Sequence, residues 1–330
     1  DKIFVFKLSN QGEILWQKQV THSLSTGCGF QLFNNVPYVS PYGVMISMYE
    51  CGRDHLFILD PATGDLVTST INTISSTVDF ASGAGDVHVF NPTSAINPIS
   101  HELFILTSNQ WSQCALTKFD NTLVYEWTVP IQSDSWALPV DPWRLDSSQI
   151  VFSELGDLYV VVGDETYDNG LMIAKINQTD GSVIESFTYT PFVEVDAPIE
   201  INELSCHSVS IQSNVMYITG STHTSDWAIQ RLFAVSIDLA TNNVLNAKLF
   251  IANNGMFDGA WSSFINQSAT YLCILGAVYG LTDIVNDDEI AAKSIAIKVP
   301  KNTLEFSSDF FTVESLPLVK SSGGLVNGPN

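Results

Sequence analysis

The chain has 330 residues, of which 45% are hydrophobic and 11% aromatic, and this is enough apolar material for a large folded core. Its 13 lysines and arginines against 35 aspartates and glutamates give a net charge of −22. That balance argues strongly against a protein that binds nucleic acid or anionic membranes, because both need a basic face. Only 15% of the residues are charged, so Ser, Thr, Asn and Gln must cover much of the surface, as is typical of secreted β proteins.

The dominant pattern along the chain is an internal repeat of a strand, a short polar turn and a second strand. Six segments follow it, over residues 3–16, 56–67, 115–127, 171–184, 232–245 and 294–304. Their average spacing is about 58 residues, which is long enough for one supersecondary unit per repeat. One aligned position is apolar in every unit, and we expect it to be buried between sheets: Leu8, Leu59, Phe119, Ile176, Ile237 and Val299. The residue before it is often Lys, and the residue after it is mostly Asp or Asn, as suits a tight turn.

Two further strands are predicted ahead of each of the last five hairpins. The nearer one is a continuous apolar run that ends in or near Gly, as expected of a strand covered on both faces. These runs cover residues 43–49, 102–107, 157–163, 214–220 and 270–276. Weaker strand patterns precede them at 29–33, 87–90, 148–152, 208–212 and 262–265. Four antiparallel strands per unit, with almost no helical pattern, predict an all-β fold: a β-propeller of six four-stranded blades, in which each blade stacks on its neighbours.

The ends of the repeat set the predicted domain organisation. The chain opens on the last hairpin of a blade, so residues 1–312 are interpreted as a half blade followed by five complete repeats. Residues 313–330 form either a strand that closes the ring against the first hairpin or a linker tail. Because Asp1 is preceded by neither Met nor a leader, we expect a removed signal peptide or a longer parent protein. No run of 18 apolar residues occurs, so no transmembrane helix is predicted.

The residue pattern of the repeats resembles that of secreted β-propeller proteins with SBBP-type repeats. Residues 215–227, Val-Met-Tyr-Ile-Thr-Gly followed by a Ser- and Asp-containing loop, match the first part of that repeat. Residues 4–16, Phe-Val-Phe-Lys-Leu-Ser-Asn-Gln-Gly-Glu-Ile-Leu-Trp, match the second part. The resemblance covers most of the chain, although the Lys and the terminal Trp are lost in several units. It implies the propeller fold and no catalytic residues, because the family pattern is structural.

Five cysteines, at 28, 51, 114, 206 and 273, contain no Cys-x-x-Cys pair, so no zinc knuckle is predicted. Cys28 lies between two glycines, but no Gly-x-Ser-x-Gly type motif accompanies it. Cys28 and Cys51 begin and end a predicted hairpin, and we expect them to form a disulfide. Cys273 lies within a strand and is expected to be buried.

No metal or cofactor is predicted, with one open alternative. The loop Asp164–Gly170 carries alternating carboxylates that could hold Ca²⁺, although a solvated acidic turn explains it better. The six histidines show no metal-binding spacing. They are His22, His55, His88, His101, His207 and His223. Among the tryptophans, Trp16 and Trp127 are expected to pack in the sheets, whereas Trp111 and Trp227 lie in loops that could stack on a sugar or a protein partner.

Two sequons, at Asn177 and Asn266, are expected on exposed turns and to carry glycans in a eukaryotic source. Together with the acidic, Lys-poor composition they favour an extracellular or cell-surface location. The sequence therefore predicts a non-enzymatic extracellular propeller that acts as a structural, adhesive or protein-interaction module, whose partners are other protein subunits or surface glycans. Two alternatives stay open: a secreted propeller hydrolase or lyase with a metal site at the channel mouth, and a carbohydrate-binding lectin.

Overall fold

The structure is a computed structural model, and all of its described secondary structure is β-strand. It describes residues 2–9, 11–21, 30–32, 38–40, 43–50, 53–73, 89–109, 113–133, 148–163, 170–192, 203–223, 230–252, 263–267, 270–279, 292–306 and 311–328. These residues form six antiparallel sheets, numbered here in chain order. Sheet 1 contains β1 (Lys2–Leu8) and β2 (Ile14–Thr21). Sheet 2 contains β3 (Phe30–Leu32), β4 (Tyr38–Ser40), β5 (Gly43–Glu50), β6 (Arg53–Leu59) and β7 (Leu66–Thr73).

Sheets 3 to 5 repeat one pattern of four consecutive strands. Sheet 3 contains β8 (Val89–Ile96), β9 (Leu103–Asn109), β10 (Gln113–Phe119) and β11 (Tyr125–Ser133). Sheet 4 contains β12 (Ser148–Phe152), β13 (Leu158–Gly163), β14 (Leu171–Ile176) and β15 (Val183–Pro191). Sheet 5 contains β16 (Glu203–Gln212), β17 (Val215–His223), β18 (Gln230–Asp238) and β19 (Asn243–Ala252). Sheet 6 contains β20 (Ser263–Gln267), β21 (Tyr271–Tyr279) and β22 (Ala292–Pro300).

The sheets are arranged as propeller blades, and the predicted fold class is confirmed. The first strands of sheets 3 to 6 contact each other in chain order, β8 against β12, β12 against β16, and β16 against β20. Each sheet thus stacks on the next through its faces while its later strands lie farther from this inner row. Within the described residues no strand of sheet 6 pairs with sheet 1. Closure of the ring and the number of six blades therefore stay predictions.

The apolar position that repeats in every unit is buried in five of the six sheets. Leu59, Phe119, Ile176, Ile237 and Val299 are at most 2% exposed. Leu8 is the exception, at 47% exposed, and here the prediction was wrong. The reason is that a residue is buried between sheets only when a second sheet covers it. Among the described residues, sheet 1 has a neighbour, sheet 2, on one face alone.

The turn that follows this position is built in the same way from unit to unit. A β-bulge interrupts the strand pairing beside it in sheets 1 to 5, between the Lys-type position and the apolar position. The next residue then caps the turn with its side chain: Asp60 Oδ1 accepts hydrogen bonds from the N–H groups of Ala62 and Thr63, at 2.7 and 2.9 Å. Asp120 and Asp238 accept equivalent bonds in sheets 3 and 5. The predicted role of Asp and Asn at this position is therefore seen directly.

The C-terminal tail adds a fifth strand to three different sheets. It contains β23 (Phe311–Ser315), β24 (Leu318–Ser322) and β25 (Leu325–Asn327), which pair with β19, β15 and β11 respectively. The tail thus runs backward over sheets 5, 4 and 3. The expectation that it adds strands to the first hairpin does not hold among the described residues, because the outer edges of these three sheets take up its hydrogen-bonding groups instead. No membrane-spanning helix is found in the described part of the chain.

Candidate functional site

A serine and a histidine meet on the inner strands of sheet 5. His207 lies on β16 within a β-bulge between Cys206 and Ser208, and its Nε2 lies 2.8 Å from Oγ of Ser221 on β17. A hydroxyl in hydrogen-bond reach of an imidazole is the arrangement of an activated nucleophile. Ser221 is only 2% exposed, however, so a substrate cannot reach its hydroxyl without displacing the strands around it. The pair is therefore best interpreted as a hydrogen bond that ties the bulge of β16 to β17.

The described cysteines are also unsuited to nucleophilic chemistry. Cys114 and Cys206 are free and fully buried, and burial raises the pKa of the Cys114 thiol to about 12. Burial also raises the pKa of the Cys206 thiol. Both groups are therefore neutral thiols at physiological pH rather than reactive thiolates. Cys273 is free and half-buried, which makes it less covered than expected. Cys28 and Cys51 lie outside the described residues, so their disulfide stays a prediction.

Metal-ligating residues do not converge within the part of the chain that the structure describes. No group of three or more His, Cys, Asp or Glu side chains is placed there to hold an ion. Of the acidic loop considered for Ca²⁺, residues 164–169 lie outside the described part. The same is true of Trp111 and Trp227, the loop tryptophans considered for stacking. Calcium binding and sugar stacking are therefore neither supported nor opposed.

The feature that recurs from sheet to sheet is an exposed apolar residue at the bulge. In the bulges of sheets 1, 2, 4 and 5 the extra residue lies on β2, β7, β15 and β19, and it is Leu15, Val67, Ile184 and Leu245 respectively. These four side chains are 51–59% exposed, and we call them the rim row. A bulge turns its extra residue out of the regular alternation, which explains why an aliphatic side chain in a strand faces solvent here.

Sheet 3 has a charged residue at the bulge position where the rim row has an aliphatic one. The extra residue at its bulge is Glu126, whose Oε2 lies 2.8 Å from Nζ of Lys118. Lys118 also reaches Oε1 of Glu102 at 2.7 Å. Burial alone would lower the pKa of Lys118, but the hydrogen bonds and charges of Glu102 and Glu126 outweigh it, and the pKa is raised. The neighbouring Val124 is 59% exposed, so an apolar side chain still lies at this end of the sheet.

Carboxylates occupy the turns that follow the buried apolar position of the repeat. Hydrogen bonds from the backbone N–H groups of Thr63 and Ala62 lower the pKa of Asp60, and a side-chain hydrogen bond from Ser182 lowers the pKa of Asp180. Burial would raise the pKa of Asp120, but hydrogen bonds from Val124 and Thr122 outweigh it and the pKa is lowered. All three groups are therefore charged at neutral pH. The surface at the turns combines exposed aliphatic side chains with fixed negative charge.

The two sequons lie in different surroundings. Asn177 follows β14 directly and caps the turn to β15, with its Oδ1 accepting a hydrogen bond from the Thr179 N–H at 3.0 Å. It is half-exposed and Thr179 is exposed, as expected for an accessible turn. Asn266 was expected on a turn but lies within β20, where it pairs with Cys273 of β21. The sequon does not reveal this position within a strand, because Asn-Gln-Ser occurs at strand ends as well as in turns. Glycosylation of either site stays a prediction.

Trp16 and Trp127 pack in the sheets as predicted. The Trp16 indole Nε1 donates a hydrogen bond of 3.2 Å to the carbonyl of Pro61 in the turn of sheet 2. The Trp127 ring lies edge-on to Phe104, with ring centroids 5.9 Å apart. Both rings therefore join neighbouring elements rather than offering a stacking platform to a ligand.

Comparison with known proteins supports no assignment below the level of the fold. No family model matches the chain, and no curated protein matches its sequence. The chain is similar in structure to quinohemoprotein alcohol dehydrogenase from Comamonas testosteroni, at 10% identity and a TM-score of 0.45, over 98% of this chain and 63% of that one. It therefore spans less than two thirds of the length of that enzyme.

Two further solved structures are similar over most of the chain. One is a mutant α-L-arabinanase from Cellvibrio cellulosa, at 13% identity and a TM-score of 0.42, over 76% of this chain and 89% of that one. The other is the Dos1 propeller, at 12% identity and a TM-score of 0.41, over 82% of this chain and 70% of that one. Enzymes and a propeller module thus occur side by side among the neighbours. Membership of the SBBP-type repeat family stays a prediction.

Proposed function

We propose that this chain is a non-enzymatic, extracellular β-propeller that serves as a structural or protein-interaction module. What supports the proposal is the rim row: the bulges of sheets 1, 2, 4 and 5 each present a large aliphatic side chain to solvent at the same position of the blade. Exposed apolar residues that recur at equivalent positions and are rimmed by polar groups are a property of protein-binding surfaces.

The charge around the rim row defines the partner. Asp60, Asp120 and Asp180 hold fixed negative charge at the turns, and the whole chain carries −22. A second copy of so acidic a chain would be repelled, whereas a protein surface that combines apolar and basic side chains would be attracted. The partner is therefore a different protein, with Lys or Arg around an apolar contact patch.

The test compares two variants of equal chemistry. The first replaces the rim row by Leu15→Asn, Val67→Asn, Ile184→Asn and Leu245→Asn. The matched control replaces three apolar residues that are also exposed but lie off the row, Ile99, Leu155 and Phe192, by Asn. Parent protein and both variants are incubated with intact cells or matrix of the source organism, cross-linked, and the attached proteins are quantified by mass spectrometry.

We expect a defined set of basic proteins to attach equally to the parent and to the control. The amount attached to the rim-row variant should be lower by about tenfold or more, because several interface anchors are removed. Equal attachment by all three proteins would contradict the proposal. So would the absence of any attached protein together with turnover of a polysaccharide by the parent, which would favour the hydrolase or lyase alternative.

A further inference from the structure

The three tail strands follow a repeat of seven residues. Each begins with a large apolar residue, Phe311, Leu318 or Leu325, and the strands are joined by two-residue links, Leu316-Pro317 and Gly323-Gly324. Leu325 is 1% exposed and lies in the core shared by sheets 3 and 4, and Leu318 packs against the core shared by sheets 4 and 5. One seven-residue unit therefore provides one strand and the crossing to the next blade.

The three strands also pair in one register. Phe311 lies opposite Ala252, Leu318 opposite Pro191 and Leu325 opposite Ser133. In each of these sheets one residue of the fourth strand pairs with the buried apolar position beside the bulge, and these residues are Val244, Val183 and Tyr125. The residue that lies opposite the start of the tail strand comes eight positions later in all three sheets. The outer edge of a blade in this protein is thus a strand-binding site with a fixed starting point.

The third residue of a unit reaches the turn of the neighbouring blade. Asn327, on sheet 3, accepts a hydrogen bond from the Val183 N–H at 2.8 Å and donates one to the Gly181 carbonyl at 3.0 Å, both in sheet 4. Lys320, on sheet 4, donates to the Thr241 carbonyl in sheet 5 at 3.2 Å. A side chain that donates a hydrogen bond at this position therefore ties two blades together.

Sheet 2 has the same outer edge without a fifth strand. Its last strand, β7, pairs with β6 on one side, and no described strand pairs with its other side. The strands β23 and β24 are held by the residues four to eight positions after the one that pairs with the buried apolar position beside the bulge, and counted from Leu66 these are residues 70–74, of which the structure describes Thr70–Thr73. An uncovered strand edge of this kind is a template for a further strand. The tail ends its described course on sheet 3, next to sheet 2 in chain order.

We infer that the outer edge of β7 binds an extended peptide segment of the tail's own pattern, with a large apolar residue first and a hydrogen-bond donor such as Lys or Asn third. The segment continues the belt of fifth strands onto sheet 2, antiparallel to β7, and its third residue reaches the turn of sheet 3 around Asp120. This deepens the proposed interaction function and rests on it, since it gives the module a second surface and a ligand class.

The experiment uses the peptide Leu-Val-Lys-Ser-Ser-Gly-Gly-Leu-Val-Asn-Gly, the sequence of residues 318–328, added to the whole chain. Hydrogen–deuterium exchange is measured with and without the peptide. We expect new protection of backbone amides within residues 70–73 and no change in β11, β15 and β19. A peptide with Glu in place of its Lys, and one with Pro in place of both Val residues, serve as controls and should bind about tenfold more weakly or not at all.

Two neighbouring substitutions, Ile71→Pro and Asn72→Pro, locate the site. Successive N–H groups of an edge strand point to opposite sides, so one substitution removes a bond to β6 and the other removes an outward donor. The outward one should leave thermal stability near that of the parent and abolish peptide binding.

Three results would overturn the inference: amides of 70–73 that are already fully protected without peptide, protection that appears at β11, β15 or β19 through exchange with the tail, or peptide binding that survives in both proline variants. The rim-row variant should bind the peptide as the parent does. Failure at the β7 edge with normal attachment of rim-row partners therefore counts against this inference alone.

Discussion

Gly64 in the turn of sheet 2 lies directly against the indole of Trp16 in sheet 1. A Cβ on Gly64 would stand 2.7 Å from Cε3 of that ring, and its backbone has φ +73°. The same relationship recurs two sheets on, where a Cβ on Gly181 would stand 2.9 Å from Cζ3 of Trp127. The turn glycine of one blade and the tryptophan of the preceding blade are therefore two halves of one contact, which explains why both residues belong to the repeat.

We predict that Gly64→Ala destabilises the protein by about 2–3 kcal/mol, because it adds a clash between blades to the strain of a positive φ. Gly12→Ala is the control: Gly12 has φ +84°, but nothing lies within 4 Å of its added Cβ. It should cost only about 1 kcal/mol. Urea unfolding of both variants measures the difference, and equal losses would show that the contact between blades contributes nothing.

Lys301→Met should raise stability by about 1 kcal/mol at pH 7. Lys301 is buried, and its Nζ has no hydrogen-bond partner among the described residues. It lies 5.4 Å from the centre of the Tyr217 ring, and a cation–π contact of this kind offsets only part of the cost of removing an ammonium group from water. The exposed Lys298, replaced by Met, is the control: its ammonium group is little desolvated, and the substitution loses a cation–π contact of 4.3 Å with Tyr271, so stability should fall by about 0.5 kcal/mol.

The effect of Lys301→Met should depend on pH in one direction. Burial lowers the pKa of Lys301. The charged form is therefore disfavoured in the folded state, and this cost is full below the folded pKa and vanishes as the pH rises toward the unfolded value of about 10.4. Thermal unfolding at pH 7 and pH 10 should show a smaller gain at the higher pH. A gain that grows with pH would contradict the assignment of Lys301 as an uncompensated charge.

Lys118→Met should have the opposite effect and lower stability by roughly 1–2 kcal/mol, because it leaves Glu102 and Glu126 without their shared cation. The pKa of Lys118 is raised, so its contribution is full below the ordinary lysine value and is lost as the pH rises through the raised one. The loss should therefore be constant between about pH 6 and pH 9. Lys175→Met, which removes one ion pair, to the more exposed Asp157, should cost less in the same urea titration.

Protein taken from a eukaryotic source should carry a glycan on at least one of Asn177 and Asn266. Asn177 lies on a turn with an exposed Thr179 two residues later, as an acceptor site requires. A glycosidase should remove a mass increment from the native protein, and Asn177→Gln should remove the increment of that site. Two unmodified asparagines in such a preparation would count against the proposed extracellular location.

The blade could be predicted from the sequence because its signals are local. The run 157–163 is apolar from Leu158 onward and becomes β13, and Asp60 caps its turn through its nearest neighbours. The alignment of the repeats also predicts that Leu8 is buried. Burial of Leu8 depends on a second sheet that covers it, and alignment with the other repeats carries no information about that sheet. The Ser221 hydroxyl and His207 come together only through the pairing of β16 with β17.

The sequence analysis offers a closing strand or a linker for the tail, and the pairing of the tail with sheets 5, 4 and 3 was not predicted for a related reason. Phe311, Leu318 and Leu325 are evenly spaced, yet Pro317 and the pair Gly323-Gly324 interrupt the segment, and only residues 311–314 alternate between apolar and polar. Such a segment becomes a strand only because an edge with unpaired backbone groups is offered to it. The exposed side chains of the rim row were not predicted either, since Leu15 and Val67 fit the pattern of an ordinary strand with one covered face.

The reversed path of the tail has a mechanical consequence. A pulling force applied beyond Asn327 meets β25 first, then β24 and then β23, and each is held to its blade by a short ladder and a few side-chain contacts. The strands would be peeled off one after another, releasing a few residues of slack each time, before any four-stranded blade bears the load. Because each step opens one short ladder and uncovers one apolar side chain at an edge, the four-stranded blades stay folded and the detached belt can re-form when the tension falls.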